Sequence, residues 1–289
     1  MVKHLLLILS LMAIPMTALS GADDRLVFYQ PQLDDQQLDR EQWQSILGAL
    51  DDAGYSGVVF QWTRYNEEHF GGVEGWLGQR VEDAVEAGLE IWVGLHWEDR
   101  WFASLERDSQ SWGDELNELL LGSLAQARTW QDHPRYEAFA GWYLPLELPD
   151  RGLAETGRQT ILSGQLGRLL QALDSPLAVS SYFTGRQQPR QYAEWLHGLN
   201  DLPGLRVWVQ DGAGVGQLTG RERRHYLDEL DCDIGIIHEA FEQLSAPDAE
   251  FEARPRPLSE NQFDGCHPSL VFSLRYLPAG ELLLQHGQP

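Results

Sequence analysis

Two glutamates at the ends of apolar runs carry the strongest chemical signal in this chain. Glu147 lies in the stretch GWYLPLELPD (residues 141–150), a lone carboxylate between two leucines and close to two prolines. A carboxylate in apolar surroundings is costly unless it is paired, hydrogen-bonded or solvated. Pro145 removes a ladder donor, so a strand is expected to end near residue 145 with the acid at its mouth. Glu239 follows His238 at the end of a second apolar run. Two such acids can flank one glycosidic bond: ~5 to 5.5 Å apart they suit a retaining hydrolase, ~6.5 to 9.5 Å apart an inverting one. The competing assignment is an ion pair between each acid and an arginine, which also perturbs carboxylates.

Other residues that can touch a substrate fall at the same kind of position. Gln30, Gln61 with Trp62 and Arg64, His96 with Trp97, Tyr182, Gln210 with Asp211, His238 and Arg275 all stand at or just beyond the ends of β-rich runs. Aromatic faces stack on sugar rings, and amides and carboxylates bond hydroxyls. Trp62, Trp97 and Tyr182 are the expected sugar platforms, and Asp211 is a third candidate acid. The same side chains could instead plug the top of a barrel. Burial beside Trp142, Tyr143 and Leu148 is expected to keep Glu147 protonated, while hydrogen bonds from Gln210 or Arg275 keep Glu239 ionised.

Two other motifs point elsewhere and are weaker. The loop QDGAGVG (residues 210–216) has G-x-G-x-G spacing, without the dinucleotide fingerprint or a Walker lysine, and reads as a tight turn that brings backbone close to substrate. The run HWED (residues 96–99) together with His69 lacks paired histidines at helical spacing, so no metal ligand set and no cofactor are expected.

The elements that must position these residues follow a regular alternation. Strands are expected at 26–30, 57–62, 91–96, 140–146, 177–183, 205–210, 233–238 and 269–276, with amphipathic segments between most of them. Trp43, Ile46, Leu47 and Leu50 recur at i, i+3, i+4 and i+7, as do Leu116, Leu119, Leu120 and Ser123. Asp39 reads as an N-cap, and Gly54 and Gly88 as C-terminal stops. Eight apolar strands, most followed by a helix, predict a closed (β/α)8 barrel. Residues 245–265 are rich in proline and charge, so the seventh helix is expected to be weak, and the eighth short or absent because only nine residues follow position 280. Residues 66–76, with three glycines, are a candidate lid.

FYQP (28–31), VVFQWT (58–63), GWYLPLE (141–147), VQDG (209–212) and HEAFE (238–242) together resemble the bacterial domain-of-unknown-function family 4434, glycosyl-hydrolase-like barrels. The resemblance spans nearly all of the chain after residue 20. It implies a barrel related to the retaining glycosidases with acids on the fourth and seventh strands, which fall on Glu147 and Glu239. In that clan an asparagine usually precedes the acid/base; here Leu146 stands there.

The 289 residues carry a formal net charge of −23, a field that repels nucleic acid and anionic lipid and suits a neutral or cationic substrate. Lys3, the apolar run at 5–12 and the small residues after Pro15 read as a signal peptide over 1–20, with cleavage after Ser20 or Ala22 and one domain over 21–289. Export to the periplasm or beyond, without stable membrane insertion after cleavage, is expected. In an oxidising compartment Cys232 and Cys266, each just before a strand, are expected to pair. These residues together predict an exported glycoside hydrolase acting on a carbohydrate by a two-carboxylate retaining mechanism. The alternative is a non-catalytic sugar-binding barrel that assists exopolysaccharide export or organisation, and a third option is a metal-dependent hydrolase or deacetylase.

Overall fold

A computed structural model of the chain describes residues 25–246 and 249–286. Eight parallel strands close into a barrel: β1 (Arg25–Tyr29), β2 (Gly57–Phe60), β3 (Glu90–Gly94), β4 (Phe139–Pro149), β5 (Leu177–Tyr182), β6 (Leu205–Gln210), β7 (Gly235–Glu239) and β8 (Ser269–Phe272). Each pairs with its sequence neighbours, and β8 returns to β1 with Arg25 opposite Ser269. The (β/α)8 expectation holds. The expected signal peptide over residues 1–20, and both expected cleavage sites, lie outside the described residues.

Alternation along the strands separates two cores. Leu26, Phe28, Val59, Trp92, Tyr143, Ala178, Trp208, Ile237 and Leu270 form the interior, while the residues between them join the larger cluster under the helices. The interior is packed by large rings matched to absent side chains. Tyr143 stacks on Trp208 at 5.7 Å, and Trp92 meets Trp208 edge-on at 5.2 Å. A Cβ on Gly141 would come within 2.5 Å of Trp92, and one on Gly235 within 2.5 Å of Trp208. The barrel is therefore a filled core with an aromatic floor beneath its C-terminal mouth.

The helices form where the spacing predicts. α1 (Arg40–Asp52) buries Trp43, Ile46, Leu47 and Leu50, and Asp39 caps it through a reciprocal capping box with Gln42. Gly54 and Gly88, at φ 79° and 83°, end α1 and α2 (Trp76–Glu86) in the left-handed region that glycine tolerates. α3 (Arg100–Ser104) and α4 (Ser109–Trp130) follow β3, α5 (Thr156–Ala172) follows β4, α6 (Pro189–Asn200) follows β5, and α7 (Gly220–Leu227) follows β6. Among the described residues no α-helix joins β7 to β8; a short hairpin of Phe241–Gln243 with Ala253–Pro255 and a 3-10 turn at Glu260–Gln262 replace it. The last helix, α8 (Glu281–His286), is six residues long. No helix among the described residues is long and apolar enough to cross a membrane.

Two strand ends differ from expectation. β4 does not stop at Pro145 but continues to Pro149, with a register shift between Leu144 and Glu147 against β5. Leu144 pairs with Val179 and Glu147 with Ser180, so two extra residues bulge out there. The proline's missing donor falls in the interruption, where no ladder bond is needed. β8 ends at Phe272, and residues 274–276 turn as a 3-10 helix instead of extending the strand.

The predicted disulfide joins Cys232 to Cys266 with a Cα separation of 5.2 Å. Both cysteines precede their strands, so the bridge ties the ends of β7 and β8 opposite the mouth.

Candidate active site

The bulge in β4 adds an even number of residues, and parity is preserved across it. Leu144, Leu146 and Leu148 all face the outer cluster, whereas Tyr143 and Glu147 face inward. The hydroxyl of Tyr143 lies 2.8 Å from that of Ser180, the residue that pairs with Glu147 in β5. This answers what a glutamate does between two leucines: the leucines pack under helices, and the carboxyl stands at the barrel mouth above the Tyr143 ring. Leu146, which precedes the acid, is 1% exposed and turned away from the mouth. Burial pushes the Glu147 carboxyl up to about 7, against a hydrogen bond from the Gln210 side chain that lowers it.

Glu239 ends β7 on the inward parity of Gly235 and Ile237. Its Oε2 accepts the main-chain N–H groups of Gly214 and Val215, at 2.5 and 3.1 Å. Arg256 donates to its main-chain oxygen at 2.5 Å. Burial is the largest cause that raises this carboxyl to about 7, and Asp211 adds to it; the two N–H groups and Arg256 pull the other way. Asp211 stands beside Glu239. Its Oδ1 accepts from the N–H of Ala213 at 2.9 Å and of Glu239 at 3.4 Å, and its Oδ2 lies 3.5 Å from Nδ1 of His238. The glycine-rich loop thus brings its backbone to the Glu239 carboxyl. A Cβ on Gly214 would lie 3.0 Å from Oε2 of Glu239 and 2.4 Å from the Phe241 oxygen, so glycine is required for this approach.

The mouth gathers several of the remaining candidates. Gln61 continues the inward alternation of β2 past Val59; it is buried, and its Oε1 has no hydrogen-bond partner among the described residues. Gln30 follows Phe28 in the same way at the end of β1 and is half-buried. Tyr182 ends β5, and its phenol is raised by burial first and by Glu147 second, which places it near that acid. Trp62, on the opposite parity from Gln61, is instead half-buried against the outer cluster; its indole donates to the oxygen of Pro31 at 3.2 Å and it meets Tyr65 edge-on at 5.0 Å.

Other candidates are directed elsewhere. Arg275 does not reach Glu239. Displaced into the 3-10 turn after β8, it makes a buried ion pair with both oxygens of Asp35, at 2.9 and 2.8 Å, and Tyr29 also donates to Asp35. The Gln210 side chain, the other expected support of Glu239, acts on Glu147 instead, lowering its pKa against burial. His96 packs outward against α4, where a Cβ on Gly122 would lie 2.6 Å from Nδ1; its Nε2 is 3.3 Å from Glu98. Trp97 is 8% exposed and packs edge-on to Phe102. Arg64 bonds the Asn66 oxygen and Glu67. His238 meets Phe263 edge-on on the outer side of β7. The loop at 66–76 is tied down by Asp99, which accepts from Tyr65 at 2.5 Å and Asn66 at 2.8 Å. Among the described residues no group of three His, Cys, Asp or Glu side chains is arranged to hold a metal ion.

Sequence reasoning missed two supports. Asp150, wholly buried just past β4, accepts from the N–H groups of Thr184, Arg186 and Gln187 and from the Thr184 hydroxyl, fixing the loop between β5 and α6. Arg256 lies in the proline-rich segment whose weak periodicity concealed it. The one available signal for Asp150 was a second acid at a strand end, three residues beyond Glu147.

The family described as a domain of unknown function, DUF4434, matches residues 27–255. An uncharacterized protein of Escherichia coli K12, YbcH, is 32% identical over 277 residues, which cover 90% of this chain and 92% of YbcH. Among solved structures, a candidate alpha-L-fucosidase from Bacteroides thetaiotaomicron superposes with a TM-score of 0.62 at 13% identity, covering 96% of this chain and 98% of the other. At that identity the likeness concerns the fold.

Proposed function

The chain belongs to the DUF4434 family, and on that footing we propose that it is an exported glycoside hydrolase that cleaves a polysaccharide or oligosaccharide by a two-carboxylate, retaining mechanism. The observation that carries this proposal is the pair of carboxyls at the ends of β4 and β7, both pushed up to about 7 and differently supported. Glu147 takes one side-chain hydrogen bond and is the proton donor to the leaving oxygen. Glu239 has Oε2 fixed by two N–H groups, which favour its ionised form, and attacks the anomeric carbon. Glu147 then returns as general base for the water that releases the sugar. Gln30, Gln61 and Tyr182 line the sugar subsite, with the unpartnered Oε1 of Gln61 accepting from a hydroxyl. The resemblance in fold to a candidate alpha-L-fucosidase supports a sugar-processing barrel. The disulfide fits an oxidising compartment, in keeping with a signal peptide over 1–20 and one barrel domain over 21–289.

A non-catalytic sugar-binding barrel is the second reading, favoured by one observation: the contacts of Glu239 with Gly214 and Val215 would equally pin a structural loop. The deciding experiment screens the purified protein against bacterial exopolysaccharides and aryl glycosides, with wild type, Glu147→Gln and Glu239→Gln in parallel. A retaining hydrolase releases reducing ends with the anomer preserved by NMR, and both variants lose ~10² or more on natural glycosides. With an activated leaving group Glu147→Gln is partly spared and rescued by azide, and Glu239→Gln is not. Sugar binding without turnover in all three proteins establishes the second reading.

A further inference from the structure

Asp211 is the third carboxyl near the mouth, and strand alternation turns it away from a sugar held there. Trp208 and Gln210 face the interior in β6, and Ile237 and Glu239 in β7, so Asp211 and His238 fall on the opposite parity. Their side chains lie together on that face, Oδ2 of Asp211 being 3.5 Å from Nδ1 of His238, which packs against Phe263. Asp211 is 4% exposed.

Its contacts are with the frame around Glu239. The Asp211 N–H donates to the Ile237 oxygen at 2.9 Å, extending the pairing of β6 with β7 by one bond. Oδ1 then accepts from the N–H of Ala213, two residues on, and from the N–H of Glu239 itself. One oxygen therefore joins the start of the glycine-rich loop to the residue that ends β7. The next two residues of that loop, Gly214 and Val215, give their N–H groups to Oε2 of Glu239. Arg223 donates to the Asp211 oxygen at 3.1 Å and Gln243 to the Gly214 oxygen at 2.9 Å, so the loop is held on two sides. A carboxylate accepts such N–H groups about twice as strongly as a neutral oxygen. Its charge works the other way: after burial, Asp211 is the cause that raises the Glu239 carboxyl, against the two N–H groups and Arg256.

We propose that Asp211 is the positioning residue of Glu239: its Oδ1 fixes the loop between β6 and α7 to the end of β7, so that the Gly214 and Val215 N–H groups meet Oε2. This deepens, and rests on, the assignment of Glu239 as nucleophile. The charged and titratable groups around Glu239 are Asp211 from the loop, with His238 beside it and Arg223 on its main chain, and Arg256 from the segment after the hairpin. β8 presents Phe272 next to it, and Glu147 stands three strands away on β4.

The test needs no substrate. Glu239 is titrated by 13C NMR of the side-chain carboxyls in glutamate-labelled protein, its signal identified by its loss in Glu239→Gln. Asp211→Asn removes the charge and keeps an oxygen for both N–H groups, whereas Asp211→Ala removes both. Glu239 is expected to titrate at lower pH in Asp211→Asn than in wild type, and at higher pH in Asp211→Ala than in Asp211→Asn, because only the alanine variant frees the loop. The Gly214 and Val215 amide signals follow the Glu239 titration in wild type and Asp211→Asn and cease to follow it in Asp211→Ala. On aryl glycosides kcat falls by about 10- to 100-fold in Asp211→Ala, the effect of a reacting group displaced by about 1 Å, and by less in Asp211→Asn. Near-ultraviolet circular dichroism checks the fold, and Asp211→Leu, which fills the space without an acceptor, takes the place of Asp211→Ala if that variant does not fold. The expected titrations without turnover of any glycoside would remove the hydrolase reading and leave the positioning role standing. The proposal is overturned if Asp211→Ala and Asp211→Asn titrate alike with both amides still following Glu239, or if neither acceptor-free variant folds. It is equally overturned if Asp211→Asn loses as much kcat as Asp211→Ala, which would make Asp211 an acid of the reaction.

Discussion

Glu147 and Glu239 share a direction of shift and differ in its balance, and that difference sets their pH behaviour. Both carboxyls rise from the usual 4.5 to about 7 because burial penalises their charge. A hydrolase that needs one protonated and one ionised acid with nearby ionisations has a narrow bell-shaped profile of kcat/KM. We expect that bell to centre near pH 7, and Glu147→Gln to remove its alkaline limb on an activated substrate while leaving the acid limb. The same shifts bear on stability. A carboxyl whose pKa is raised on folding favours the folded state fully below its unfolded value, and that contribution is lost as pH rises through the folded value. Stability is therefore expected to fall between about pH 4.5 and 7. Glu147→Gln, which carries no titrating proton, should flatten part of that fall and be more stable than wild type at pH 8; denaturant unfolding at pH 5 and pH 8 measures both. An unchanged slope in the variant would show that other groups govern it.

At the scale of elements, the loop between β6 and α7 and the bulge in β4 do the positioning. Gly214→Ala must displace the Phe241 carbonyl or the Glu239 carboxyl, and we expect it to cost about 1 to 3 kcal/mol in stability. It should also move the acid limb of the pH profile upward, because weakening the two N–H contacts withdraws support from the ionised Glu239. A merely structural glycine would lower stability without moving that limb. Much of this level was legible in the sequence. The order of strands, the buried stripes of α1 and α4 and the placement of both glutamates at strand ends follow from apolar periodicity and caps. What was not legible depends on local backbone and on distant partners. Pro145 suggests a strand end, but the two-residue bulge that absorbs it is set by pairing with β5. Arg275 looks like a mouth residue until β8 is seen to stop at Phe272, and its partner Asp35 lies 240 positions away. His96 falls at a strand end in the sequence, yet the chain turns it against Gly122 of α4. Asp150 and Arg256 gain their roles only through partners on other loops, with no spacing to announce them.

For the whole molecule, the weak point of the barrel is the stretch between β7 and β8, where the described residues form no α-helix. A neighbouring strand pair without a helix above it loses the apolar cover that holds the other six connections in place, and the described residues between 240 and 268 contribute little regular structure of their own. The bridge between Cys232 and Cys266 spans this segment, its ends 34 positions apart in sequence. By the chain-entropy estimate, closing a loop of that length removes about 3 to 4 kcal/mol of freedom from the unfolded state. The double variant Cys232→Ser, Cys266→Ser is therefore expected to unfold about 6 to 8 °C lower, since a chain of this size shifts by roughly 2 °C per kcal/mol. Because the bridge lies at the opposite end of the strands from Glu147 and Glu239, the pH profile and kcat measured well below the transition should not change. Hydrogen exchange should locate the loss in β7, β8 and the hairpin at 241–255, the elements tied by the bridge. A uniform loss of protection around the barrel would instead mean that the closing of β8 onto β1 limits the stability of the whole ring.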